Sequence, residues 1–177
     1  DWKCQVVPRH QQDDGASLDV VHLKQAFHGR SGYALSLTNS SEIKTKWFPK
    51  FKWTRVENPK IFRHPLRGEM DVATMNNLEN MALMKIQAHM VDNKVAAVIV
   101  ETIQGEGGDN HFRPEFFQGI RNLCDSYKAM MILDEVQTGM GLTGKWWAYE
   151  HMGVKPDMIC FGKKSQVCGF CSSDRIK

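Results

Sequence analysis

The residues best placed to do chemistry are an acid and two lysines at the ends of apolar runs. Asp134 follows Ala129 to Leu133, and Lys163 and Lys164 come just after Met158 to Phe161. An acid in a largely apolar site can hold a cationic ring nitrogen. A lysine beside a second positive charge has a lowered amine pKa and makes a good Schiff-base nucleophile. Together the two suggest pyridoxal phosphate, although the spacing alone leaves an ordinary surface ion pair about equally open.

The other constellations point to bland readings. Gly139-Met-Gly141-Leu-Thr-Gly144 fits G-x-G-x-x-G, but Asp134 to Thr138 separate the strand from the first glycine. Trp146 also stands where a P-loop needs a hydroxyl for magnesium, so a glycine-rich turn is expected rather than a nucleotide site. Cys168-Gly-Phe-Cys171, with Cys160 nearby, has no second pair at metal-ligand spacing, which predicts buried thiols and no metal. The histidines are scattered without an HExxH cluster and read as satisfied polar or surface residues. Lys44 to Lys60 interleaves Lys44, Lys46, Lys50, Lys52 and Arg55 with Trp47, Phe48, Phe51 and Trp53. That is the composition of a single-strand-binding platform, but two prolines and local alternation predict a polar loop anchored by aromatics.

The elements that must position these residues follow from hydrophobic period. Residues 8–17 read as a polar loop, Val20, Val21 and Leu23 as a short strand, and Phe27-His28-Gly29-Arg30 as its break. A helix is predicted from Asp71 to about Val91 with Val72, Met75, Leu78, Ala82 and Ile86 as its apolar stripe and its methionines as core filling. Next come a strand at Val95 to Val100, a helix from Pro114 to Tyr127, a strand at Ala129 to Leu133, a helix around Trp146 to His151, and a strand at Met158 to Phe161. Strands alternating with helices at these spacings indicate an α/β fold with a mostly parallel sheet. Function in such sheets gathers at the C-terminal strand ends, here Glu101, Asp134-Glu135 and Lys163-Lys164.

The chain of 177 residues is one domain's worth of sequence, with 42% hydrophobic and 24% charged residues, a globular composition. Its 23 Lys and Arg against 20 Asp and Glu leave +3, too mild to imply a nucleic acid or a membrane surface. The longest apolar run, Val95 to Val100, falls far short of the roughly 20 residues that span a bilayer. Five cysteines, all but Cys4 in the last third, do not make a disulfide framework and suggest a reducing, cytoplasmic setting. The opening Asp-Trp-Lys-Cys without Met and the polar close suggest an internal fragment.

Three segments carry a resemblance: Ala26-Phe-His-Gly-Arg-Ser31; Val100-Glu-Thr-Ile-Gln-Gly-Glu-Gly-Gly108; and Asp134-Glu-Val-Gln-Thr-Gly139 with Pro156-Asp-Met-Ile-Cys-Phe-Gly-Lys163. They resemble the class III (omega) aminotransferases of pyridoxal-phosphate fold type I. Similarity extends to Ser31 to Asn39, Phe112 to Phe117 and Gly162 to Gly169, the last closer to the lysine-specific branch than to the 4-aminobutyrate one. The resemblance implies that residues 1–177 are part of the large cofactor-binding domain of a homodimer. It places the N-terminal phosphate loop and the C-terminal small domain outside this chain, so that the piece alone is expected to be a poor catalyst.

The same resemblance assigns roles. Lys163 would be the Schiff-base lysine and Lys164 a bystander. Asp134 would bind the pyridinium nitrogen, Val136 and Phe27 would sandwich the ring, Gln137 would bond its phenolic oxygen, and His28 would line the pocket. Arg30 would take the substrate carboxylate. Glu106 would be a switch that pairs with an arginine and releases it for the acceptor. The implied reaction moves the ε-amino group of L-lysine to 2-oxoglutarate, giving 2-aminoadipate 6-semialdehyde and glutamate. An aminotransferase for 4-aminobutyrate or another omega-amine stays open, as does a non-catalytic α/β nucleotide-binding module. Thr102 departs from the proline usual after the glutamate, which is expected to loosen that turn.

Overall fold

The computed structural model describes residues 18–64, 68–69, 71–91 and 95–176. Cys4 and the polar segment 8–17 lie outside them. The strands are β1 (Asp19–Leu23), β2 (Arg55–Val56), β3 (Arg63–His64), β4 (Gly68–Glu69), β5 (Val95–Glu101), β6 (Ile103–Gln104), β7 (Asn110–His111), β8 (Met130–Asp134), β9 (Met158–Phe161) and β10 (Gly169–Ser172). The α-helices are α1 (Val72–Val91) and α2 (Pro114–Tyr127).

Six strands form one sheet in the order β10-β9-β8-β5-β1-β2. Every pairing is parallel except β9 with β10, so an antiparallel edge closes a parallel sheet. Apolar runs without alternation form the central strands because both faces there are covered. One face packs Val21, Leu23, Val98, Val100, Met131, Leu133 and Ile159 into a single core with residues of both helices, among them Ile86, Met90, Phe116, Phe117 and Ile120. Full burial of each large side chain in that core stabilises by about 1.5–3 kcal/mol. Successive strand residues point to opposite faces, so the intervening His22, Glu101, Asp134 and Cys160 lie on the other side.

Helix α2 begins as its sequence predicts, with Pro114 at the first turn, and ends with Lys128 in the left-handed conformation at φ 58°. Asp71 starts α1: its Oδ1 accepts the Thr74 N–H at 2.9 Å and its Oδ2 accepts the Thr74 hydroxyl at 2.6 Å. The buried stripe of α1 differs from the predicted one. Met75, Glu79, Ala82, Ile86 and Met90 are buried, whereas Val72, Leu78, Met81 and Met84 are exposed. The shift has a partner behind it: Arg113, at the entrance to α2, grips both oxygens of Glu79 at 2.8 and 2.5 Å, which makes burial of that carboxylate tolerable.

Two further expectations change. The predicted helix near Trp146 is a short 3-10 turn over Ala148–His151, organised by the buried Glu135 carboxylate, which accepts the Ala148 and Tyr149 amides at 3.1 and 2.8 Å. The thiols of Cys160, Cys168 and Cys171, expected to be buried, are not: Cys160 is only partly buried, Cys171 is exposed on the edge strand β10, and Cys168 is exposed just before it, while Cys124 in α2 is fully buried. No described helix is long and apolar enough to cross a membrane, and no group of potential metal ligands occurs among the described residues. The Gly139 to Gly144 stretch is a run of turns, as expected.

Candidate active site

The C-terminal ends of four parallel strands meet on the face away from the helices. Register sets Glu101 beside Asp134 across β5 and β8, and Asp134 beside Cys160 across β8 and β9. Burial pushes the Glu101 carboxyl above the usual range. Neighbouring Asp134 adds to this, while His28 and the Phe27 and Gly105 amides oppose it. Burial, with Asp134 beside it, likewise raises the Cys160 thiol to about 11. The thiol is therefore no ready nucleophile at neutral pH.

Where β1 ends, the chain turns across these carboxylates. The Phe27 amide donates to Glu101 Oε1 at 2.9 Å, and the His28 imidazole Nδ1 lies 2.8 Å from Asp134 Oδ2. The His28 side chain is only 1% exposed, and its Nε2 is buried without a hydrogen-bond partner among the described residues. Thr38 locks the turn by accepting the His28 amide at 2.9 Å and donating to the Gly29 carbonyl at 2.6 Å. The other oxygen of Asp134 accepts the Val136 amide at 3.1 Å, so the carboxylate is fixed from two sides.

After β9, Gly162 is buried, and a Cβ there would lie 3.0 Å from Cys168 Sγ and 3.4 Å from Val136 Cγ1. Lys163 then takes φ 50°, a left-handed conformation that a lysine adopts only when its surroundings impose it. Its ammonium is hydrogen-bonded to Gln137 Oε1, and the Lys164 ammonium donates to the Gln137 carbonyl at 2.6 Å. Gln137 thus receives both lysines, one on its side chain and one on its backbone.

The loop after β5 completes the rim. Gly105 packs on Gln137, and Gly107 lies so close to the Gln25 carbonyl that a Cβ would come within 2.1 Å of it. Gln25 itself has φ 63°, and its Oε1 accepts from Asn58 at 3.0 Å and Lys60 at 2.9 Å. Between those anchors Glu106 forms an ion pair with Lys44, whose Nζ also lies 5.7 Å from the Phe27 ring centroid. Arg30 is exposed and has no ion-pair partner among the described residues.

The structure therefore joins His28 to Asp134, Asp134 to Val136, and Lys163 to Gln137, and it sets Phe27 against Glu101; Arg30 and Glu106 stand at the rim. Lys44 was hidden in the basic aromatic tract, and nothing in that composition points to Glu106. Thr102 does not loosen its turn. It is fully buried, with its hydroxyl 2.8 Å from that of Thr138, which in turn donates to Glu135.

Comparison with known proteins bears on the family and the fold. The family model described as Aminotransferase class-III matches residues 2–176. The L-lysine-epsilon aminotransferase of Mycobacterium tuberculosis is 47% identical over 99% of this chain, and that of Amycolatopsis lactamdurans is 44% identical over the same share. The 4-aminobutyrate aminotransferase of Dictyostelium discoideum is 38% identical over 92%. The solved lysine aminotransferase from M. tuberculosis in its internal aldimine form superposes with a TM-score of 0.89, covering 99% of this chain and 40% of that one. The chain spans about 38% of the length of the lysine-epsilon relatives.

Proposed function

The chain belongs to the class III aminotransferases, and from that premise we propose that it forms part of the cofactor-binding domain of an enzyme moving the ε-amino group of L-lysine to 2-oxoglutarate, with 2-aminoadipate 6-semialdehyde and glutamate as products. The observation that carries the choice of substrate is the 47% identity to a lysine-epsilon aminotransferase across 99% of the chain, against 38% to a 4-aminobutyrate enzyme. The whole enzyme is proposed to act as a homodimer. The exposed rings of Tyr33 and Phe51, stacked at 5.0 Å, and the bare Trp47 support a subunit contact nearby. Free Cys124, Cys160, Cys168 and Cys171 are in keeping with a cytoplasmic setting.

Class III aminotransferases use pyridoxal phosphate, and the residues present fit it. A buried carboxylate held by His28 and Val136 keeps lone pairs free for a ring N–H, two amines converge from the next strand, and His28 Nε2 lacks a partner among the described residues. When bound, the cofactor supplies an aldehyde that captures amines and a protonated ring that draws electrons from the carbon bearing the nitrogen. Asp134 would hold the proton on the ring nitrogen, because a carboxylate favours a cation beside it. Val136 and Phe27 would hold the ring between them, and Gln137 would donate to its phenolic oxygen. Lys163 Nζ would hold the group and, as a free amine, would serve as the base for the proton on the substrate carbon next to the amine. Arg30 grips the α-carboxylate of lysine so that the distal amine points inward. Glu106 governs a cation that the acceptor's second carboxylate must reach.

Borohydride reduction of the full-length protein, followed by peptide mass spectrometry, tests the reading. A pyridoxyl label is expected on Lys163, and label on Lys164 or on neither overturns the assignment. A panel of amines with 2-oxoglutarate tests the substrate: lysine is expected to exceed 4-aminobutyrate in kcat/KM.

A further inference from the structure

Glu106 has a fixed backbone and a half-exposed side chain. Gly105 is packed against Gln137, Gly107 against the Gln25 carbonyl, and Asn110 Nδ2 donates to the Gly107 carbonyl at 3.1 Å, so the loop itself has little room to move. The carboxylate instead reaches the rim, 41% exposed, where Lys44 meets it with 33% of its own side chain exposed. Lys44 ends a short 3-10 turn over Glu42–Lys44 and sits beside the Phe27 ring, where the ring's negative face favours a cation. Arg30, exposed just after the turn at Gly29, has no ion-pair partner among the described residues.

We propose that Lys44 is a positioning residue for Glu106, holding the glutamate aside while a dicarboxylate acceptor occupies the site and so favouring the acceptor half of the reaction. The proposal rests on the reading of Glu106 given above. A glutamate that releases one cation to an incoming carboxylate leaves its own charge uncompensated, and the like charge of the acceptor then repels it. A second cation within side-chain reach removes that repulsion. Strength decides whether such a partner suits a switch: a buried ion pair would hold Glu106 permanently, whereas a half-exposed, salt-screened pair is weak enough to exchange at each half-reaction. Lys44 and Glu106 are of the second kind.

The test uses the full-length holoenzyme with K44M, K44R, E106Q and the double variant K44M/E106Q. Calorimetric binding of glutarate, a dicarboxylate that cannot react, is read alongside single-turnover rates of each half. K44M is expected to weaken glutarate on the order of fivefold at low salt, with the difference shrinking near 0.5 M salt. The lysine half loses less, K44R restores binding, and K44M adds nothing in the E106Q background. Equal losses in both halves, or a K44M effect on glutarate that persists in E106Q, overturn the proposal, since Lys44 then acts on the pocket at large or on the ligand directly. If E106Q shifts the balance between halves and K44M does not, Lys44 alone is refuted. If E106Q changes nothing, the reading of Glu106 fails and takes the role of Lys44 with it.

Discussion

The imidazole Nδ1 of His28 lies 2.8 Å from Asp134 Oδ2, while the Nε2 on the other side of the ring is buried and has no partner among the described residues. With a hydrogen on Nδ1 the imidazole donates to this carboxylate, so the histidine fixes its direction. His28→Ala is expected to weaken cofactor binding in the full-length enzyme about tenfold, the loss of one charge-assisted bond. His28→Asn, which keeps a donor, should recover part of this. Equal cofactor affinity in His28→Ala and the parent would show that Asp134 needs no such partner.

Arg30 and the substrate carboxylate form the second prediction. If Arg30 grips the α-carboxylate of lysine, Arg30→Ala costs lysine on the order of 2–4 kcal/mol in kcat/KM, roughly 30- to 1000-fold. A diamine without that carboxylate never made the contact and should lose far less. Steady-state kinetics of the two amines with one variant decides it, and equal losses would make Arg30 a structural residue.

Gly107 tests how firmly the Glu106 loop is held. A Cβ at Gly107 would sit 2.1 Å from the Gln25 carbonyl oxygen, while one at Gly141, φ 86°, would meet nothing within 4 Å. Gly141→Ala therefore pays only for its left-handed backbone, about 1 kcal/mol. Gly107→Ala must move one loop off the other and is expected to cost about 2–3 kcal/mol. Denaturant midpoints of both variants measure this, and a smaller loss for Gly107→Ala than for Gly141→Ala would contradict the packing.

What could be read from the sequence followed local rules, and what could not depended on distant partners. Asp134 and Lys163 were visible because each follows an apolar strand, and Pro114 announced α2 by its own backbone restriction. The α1 stripe was misplaced because Glu79 looks like a surface residue until Arg113, which precedes the next helix, is seen to grip it. The exposure of Cys171 is not legible in the sequence because composition does not tell an edge strand from a central one. Phe27, His28 and Arg30 carried no periodic signal and were found only through resemblance. The pairing of Lys44 with Glu106 joins two loops and has no counterpart in any local pattern.

His22 provides the last prediction, a pH dependence of stability. The ring is fully buried in β1, its Nδ1–H donates to the Val20 carbonyl at 3.2 Å, and its Nε2 accepts the Arg55 Nε–H at 3.1 Å, an arrangement available only to the neutral imidazole. Burial is the largest cause that lowers its pKa from 6.5 to about 4, with the charges of Arg55 and His28 adding to it and the Val20 carbonyl opposing. The folded pKa is depressed, so between those two values the unfolded chain binds a proton that the folded chain refuses. The contribution is whole above the unfolded pKa of 6.5 and is lost as pH falls toward 4, to a limit of about 3 kcal/mol. Urea unfolding at pH 7.5 and pH 5 should show the parent losing about 2 kcal/mol more on acidification than His22→Gln, which cannot titrate. Comparing the two proteins cancels other groups, including Glu101, whose raised carboxyl acts in the opposite direction. Parallel pH dependence in parent and variant would mean that His22 does not resist protonation in the folded sheet.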